Sequence, residues 1–138
     1  MMDILNIDGK SIEEKMEKAI EDTHEELDGL VEERMCRVYT DTLTKHLTEE
    51  HAVFRRISTE ELGFSYDYHF ILVPKEEGYY LLDLTFSQFG ENQGFELLSQ
   101  KGYQYINNSN WDEYIEITCK QTPNISLEEA FHSWNKRR

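Results

Sequence analysis

Tyr66-Asp67-Tyr68-His69-Phe70-Ile71-Leu72-Val73, then Pro74-Lys75-Glu76-Glu77-Gly78, then Tyr79-Tyr80-Leu81-Leu82-Asp83-Leu84-Thr85-Phe86 form the stretch on which the fold turns. The two outer runs are rich in aromatic and β-branched residues, which suit a pleated surface, and the segment between them holds the Pro and Gly that punctuate turns. The pattern predicts an antiparallel hairpin with a five-residue loop, residues 74–78. Apolar residues fill both faces of both runs, so the pair is expected in the middle of a sheet and not at its edge. With Val73 paired to Tyr79, His69 falls opposite Asp83. Because side chains alternate, the two then share a face with Ile71, Val73, Tyr79, Leu81 and Thr85.

Upstream, Ser11 and Glu14 form a capping box, and Ile12, Met16, Ala19, Ile20 and Leu27 follow a helical stripe. A first helix is expected from Ile12 to near Leu27, stopped by Asp28-Gly29. A second resumes near Glu33 and carries Met35, Cys36, Tyr39, Leu43 and Leu47. His51 to Ile57 reads as a short strand, and Ser58 to Gly63 as a turn or single helical turn. Downstream, Phe89 to Gly94 is read as loop and Phe95 to Gln100 as a short helix closed by Gly102. Trp111 to Lys120 is open between strand and helix, Ser109 as a cap with Asp112 three residues on favouring helix, and Ser126 with Glu129 opens a last helix. The expected fold class is α+β: N-terminal helices packed on a small antiparallel sheet, and a C-terminal helix. The 138 residues form a single expected domain with its core at about residues 30–90.

The chain holds 28 acidic against 14 basic residues, a formal charge of −14. Such a balance repels phosphate backbones and anionic lipid, so nucleic acid and membrane surfaces are excluded as expected partners. The pairs Glu13-Glu14, Glu25-Glu26, Glu32-Glu33 and Glu49-Glu50 are read first as solvated helix faces and second as an attraction for a basic partner protein. No basic stretch and long apolar run open the chain as in a secretory signal, and no segment approaches the roughly 18 apolar residues of a membrane span. The expected location is the cytoplasm, or outside after export without a recognisable N-terminal signal. Cys36 and Cys119 are expected to be free thiols in a reducing compartment. His24, His46, His51 and His132 show no metal-ligand spacing, and no glycine-rich phosphate loop occurs, so neither a metal nor a cofactor is expected.

Chemistry concentrates on the hairpin. An Asp buried among apolar side chains needs a partner, and a bond from His69 would fix the imidazole tautomer and leave its other nitrogen free to take a proton. Cys36, near the start of the second helix, sits where the helix dipole and a nearby imidazolium lower a thiol pKa. The residues alone leave Cys36 open between a nucleophile and a small buried apolar side chain, and His69 with Asp83 open between a catalytic pair and a satisfied buried one.

The order Cys36, then Tyr68-His69-Phe70-Ile71-Leu72-Val73, then Tyr79-Tyr80-Leu81-Leu82-Asp83-Leu84-Thr85, with Gln88-Phe89 trailing, resembles the core of the papain-like and transglutaminase-like cysteine hydrolases. It is particularly similar to small bacterial protein-glutamine deamidases, over roughly Arg34 to Phe89. Arg34-Met35 precede Cys36 where that family often has a small residue. The resemblance implies a Cys36-His69-Asp83 triad, with Gln88 and Thr85 as auxiliary candidates. It also implies a protein or peptide substrate attacked at a carboxamide or peptide bond, with deamidation, proteolysis or transglutamination as the outcome. The alternative is a non-catalytic acidic binding or inhibitory protein on the same core.

Overall fold

The computed structural model describes residues 11–27, 35–47 and 54–136. Among them are helices α1 (Ile12–Glu26) and α2 (Cys36–His46), strands β1 (Arg55–Ser58), β2 (His69–Lys75) and β3 (Gly78–Leu82), helix α3 (Glu96–Lys101), strand β4 (Tyr103–Ile106), and helices α4 (Asn108–Cys119) and α5 (Leu127–Lys136). The sheet is antiparallel in the order β1-β2-β3-β4. The protein is thus α+β, and the hairpin occupies the centre of the sheet. The expected stop at Asp28-Gly29, the helix residues near Glu33 and the first residues of the strand from His51 lie outside the described residues.

The sheet is apolar on both faces, and helices cover both. Ile71, Val73 and Leu82 meet Met16, Ala19, Ile20, Tyr39 and Leu43 of α1 and α2. Phe70, Leu72 and Leu81 meet Trp111, Tyr114, Ile115, Ala130 and Phe131 of α4 and α5. The Ser11–Glu14 capping box opens α1 as expected. Two phenols reach it from the sheet: Tyr80 Oη donates to Glu13 Oε2 at 2.6 Å, and Tyr103 Oη donates to Glu17 Oε2 at 2.6 Å. Ser126 and Glu129 close their capping box reciprocally before α5. Helix α4 begins two residues before the reading from Ser109. Asn107 is its cap, accepting from Ser109 N at 3.0 Å, because an Asn side chain satisfies the free amides of a first turn as well as Ser does.

The hairpin register differs by one residue from the expected one. Val73 pairs with Tyr80 and Lys75 with Gly78, leaving Glu76-Glu77 as the turn. Pro74 is the reason the longer loop misleads. In a two-residue hairpin the N–H of position 74 points away from β3, and the pairing of β1 ends at Arg55 with Leu72, so the missing donor interrupts no described ladder. Glu76 takes φ of +55°, as the first residue of such a turn requires. Gly78 is needed for space, since a Cβ there would lie 2.6 Å from Ile106 O of β4. Strand β4 and the short helical turn Phe86–Phe89 are additions to the expected elements.

Candidate functional site

Three chemically capable residues gather at one end of the sheet. Cys36 is the first residue of α2, His69 the first of β2, and Asp83 follows the last of β3. Thr40 Oγ1 donates to His69 O at 3.3 Å and ties α2 to the start of β2. Cys36 is buried, with 7% of its surface exposed. Burial pushes its thiol pKa up, and the charges of Asp83 and Asp67 push the same way. The backbone N–H groups of His69 and Arg37 act against them, and the net direction is upward. Cys36 is therefore a protonated thiol at neutral pH.

His69 and Asp83 do not pair. The one-residue change of register sends their side chains to opposite faces, so Asp83 does not orient His69. Instead His69 Nε2 stands 3.0 Å from Asp67 Oδ2, and His69 Nδ1 stands 3.1 Å from Arg56 Nη2. A guanidinium can only donate, which fixes the neutral tautomer: Nδ1 accepts from Arg56 and Nε2–H donates to Asp67. Asp67 also accepts from Ser58 Oγ at 2.7 Å, while Arg56 Nη1 binds Asp41. Burial raises the Asp67 pKa, but the bonds from Ser58 and His69 outweigh it and hold the carboxyl below its usual range. These groups line an open cleft of about 350 Å³ together with Arg37, Glu60 and Glu61.

Asp83 belongs to a separate cage. Tyr68 Oη donates to it at 2.9 Å and Tyr114 Oη at 2.8 Å, and Thr85 N reaches Oδ1 at 3.1 Å. Thr85 Oγ1 lies within hydrogen-bonding distance of both Tyr68 Oη and Asp83 Oδ1. Burial pushes the Asp83 pKa up to about 6 against the bonds from Tyr114, Tyr68 and Thr85. Burial also drives both phenols well above their usual values. Of the auxiliary candidates, Thr85 is thus part of this cage. Gln88 sits in the turn Phe86–Phe89, its Nε2 shielded from solvent and without a hydrogen-bond partner among the described residues. Cys36 and Cys119 are both free and buried, and burial raises the Cys119 thiol as well.

Sequence reasoning passed over Asp67, Arg56, Tyr68 and Tyr114. Asp67 carries a signal, since residues two apart on an extended chain share a face and Asp67-Tyr68-His69 offers the carboxylate locally. Tyr114 carries none in its own neighbourhood, because it is delivered by the packing of α4 on the sheet. Among the described residues no cluster of three or more His, Cys, Asp or Glu is arranged to hold a metal ion, and no helix is long and apolar enough to cross a membrane. The chain matches no family model, no curated protein and no solved structure.

Proposed function

We propose that the protein is a thiol-dependent acyl-transfer enzyme on a papain-like core, acting on a carboxamide or peptide bond of a protein substrate. Cys36 is its nucleophile and His69 its base, and Asp67, in place of Asp83, is the carboxylate that orients the base. One observation carries the reading: Cys36 opens α2, which Thr40 Oγ1 ties to His69 O at 3.3 Å, and the imidazole of that same His69 is already held by a carboxylate at Nε2. Releasing Arg56 from Nδ1, with Nε2–H still on Asp67, is the rearrangement that frees a proton acceptor for the thiol.

In the reaction, Nδ1 takes the thiol proton as sulfur attacks the carbonyl carbon, and the same nitrogen returns that proton to the departing amine or ammonia. Water then attacks the thioester, leaving a carboxylate and the free thiol. The N–H groups of Arg37 and His69 favour negative charge at the Cys36 sulfur. Deamidation of a glutamine side chain is the preferred version, on the resemblance of the Cys36, His69 and Asp83-Leu84-Thr85 stretch to the small deamidases.

A second reading has its own observation. Both ring nitrogens of His69 are occupied and the thiol is held protonated, which suits a non-catalytic acidic protein that docks on a basic partner. Alkylation of Cys36 near neutral pH separates the two, measured alongside ammonia release from a glutamine-rich protein. With Arg56 removed from Nδ1, the enzyme reading expects folded Arg56→Met to react at least about tenfold faster than the folded Arg56→Met, His69→Ala double variant, within the usual range for a positioned base. Equal, slow labelling of both folded proteins would leave the binding reading standing alone.

A further inference from the structure

A second cleft, sharing no lining residue with the first, lies between the turn Phe86–Phe89 and the end of α4. It has a volume of about 520 Å³ and is lined by Tyr66, Gln88, Phe89, Thr118 and Lys120. Two of these residues are unusual. Gln88 Nε2 is a shielded donor with no acceptor among the described residues, and buried polar groups left in that state are rare. Lys120 has no ion pair among the described residues, in a chain with twice as many acidic as basic residues. Its Nζ stands over the Phe89 ring at 5.8 Å. Lys120 also caps α4 at φ of +60°, a left-handed conformation that Gly or Asn adopts with less strain. Thr118 Oγ1 already donates to Tyr114 O at 3.0 Å, and besides the phenol of Tyr66 the cleft's side-chain donors are the amide of Gln88 and the ammonium of Lys120.

We infer that this cleft binds a carboxylate borne on a flat apolar group, its anionic end between Lys120 and a Gln88 amide that turns outward to meet it, and its body against Phe89 and Tyr66. A carboxylate accepts from a cation and an amide together, and the aromatic faces favour a planar partner over a branched aliphatic one. Clefts of this size commonly hold small ligands through one or two polar anchors and an apolar wall. The same chemistry is offered by a free aromatic acid or by the C-terminal residue of a peptide ending in Phe. The inference does not depend on the role of Cys36.

The test is a titration of the full-length, isotope-labelled protein by NMR, with benzoate, benzamide, and a Phe-terminated tripeptide with free or amidated carboxyl. Benzoate is expected to shift the Gln88 side-chain amide saturably, with a dissociation constant on the order of 1 mM. Benzamide and the amidated peptide are expected to bind at least roughly tenfold more weakly. Lys120→Asn, which keeps the left-handed cap and removes the charge, should weaken benzoate binding by a similar factor, and Lys120→Arg should restore it. Tighter binding of the free peptide than of benzoate assigns the site to peptide C-termini, and the reverse assigns it to free acids. Absence of saturable shifts, equal binding of benzoate and benzamide, or unchanged binding in a folded Lys120→Asn variant would overturn the proposal.

Discussion

Asp83 makes an unusual demand on the fold, because it is a carboxyl enclosed by hydroxyls and a backbone amide with no Lys, Arg or His against it among the described residues. Its folded pKa of about 6 lies above the ordinary 3.8, so the folded state binds the proton more tightly than the unfolded chain does. The stabilisation is therefore fully present below the unfolded value and is lost as pH rises through about 6, the reverse of a salt-bridged Asp. The whole shift corresponds to about 3 kcal/mol. Between about pH 5 and about pH 7.5 the accessible part is about 1 to 2 kcal/mol.

The assay is urea unfolding followed by the fluorescence of buried Trp111, run on wild type and Asp83→Asn at both pH values. Every other titrating group is common to the two proteins, so the difference between them isolates Asp83. Wild type should lose about 1 to 2 kcal/mol against the Asn variant on going to the higher pH, a relative midpoint shift of about 1 M urea for a chain of this size. A difference that stays flat, or wild type gaining on the variant as pH rises, would show that the two phenols and Thr85 N–H outweigh burial, and the reasoning would fail.

Arg56→Met should free His69 Nδ1 and raise the alkylation rate of Cys36 near neutral pH by about tenfold, while Asp67→Asn should lower it; mass spectrometry of the labelled protein reads both. Gly78→Ala should destabilise by about 2 kcal/mol or more, because the added Cβ would meet Ile106 O at 2.6 Å. Gly63→Ala, at φ of +99° with open space around it, should lose about 1 kcal/mol from backbone conformation alone; thermal unfolding compares the two. Tyr103→Phe should lose about 1 kcal/mol through the bond to Glu17, read by the same thermal unfolding.

What was legible in the sequence was what local rules determine. Ser11 with Glu14 and Ser126 with Glu129 satisfy the first amides of their own helices, so α1 and α5 could be read from a few residues each. The central place of the hairpin followed from apolar residues on both its faces. Strand β4 was not legible, because Tyr103-Gln104-Tyr105-Ile106 is short and half polar, and only its pairing with β3 makes it a strand. The register failed at one residue, Pro74, whose sequence meaning as a breaker is reversed by the end of β1 beside it. That single position decided the site, since parity alone sets whether Tyr68 or His69 turns toward Asp83.

The same parity places two carboxylates around one thiol in different ionisation states. Asp67, held below its usual range by Ser58 and His69, is ionised well below neutral pH, whereas Asp83 loses its proton only near pH 6. Raising the pH from mildly acidic to neutral therefore adds a second negative charge near Cys36, and both charges oppose a thiolate. The helix N-terminus and the amide of His69 act the other way, but the net direction at the sulfur remains upward. The fixed surroundings of Cys36 thus do not generate a thiolate by themselves at neutral pH. On the acyl-transfer reading, the proton has to leave through His69 Nδ1, and Arg56 occupies that nitrogen. Activation of the thiol and displacement of Arg56 are then the same event, and an acidic group on an arriving substrate is the partner able to draw the guanidinium away.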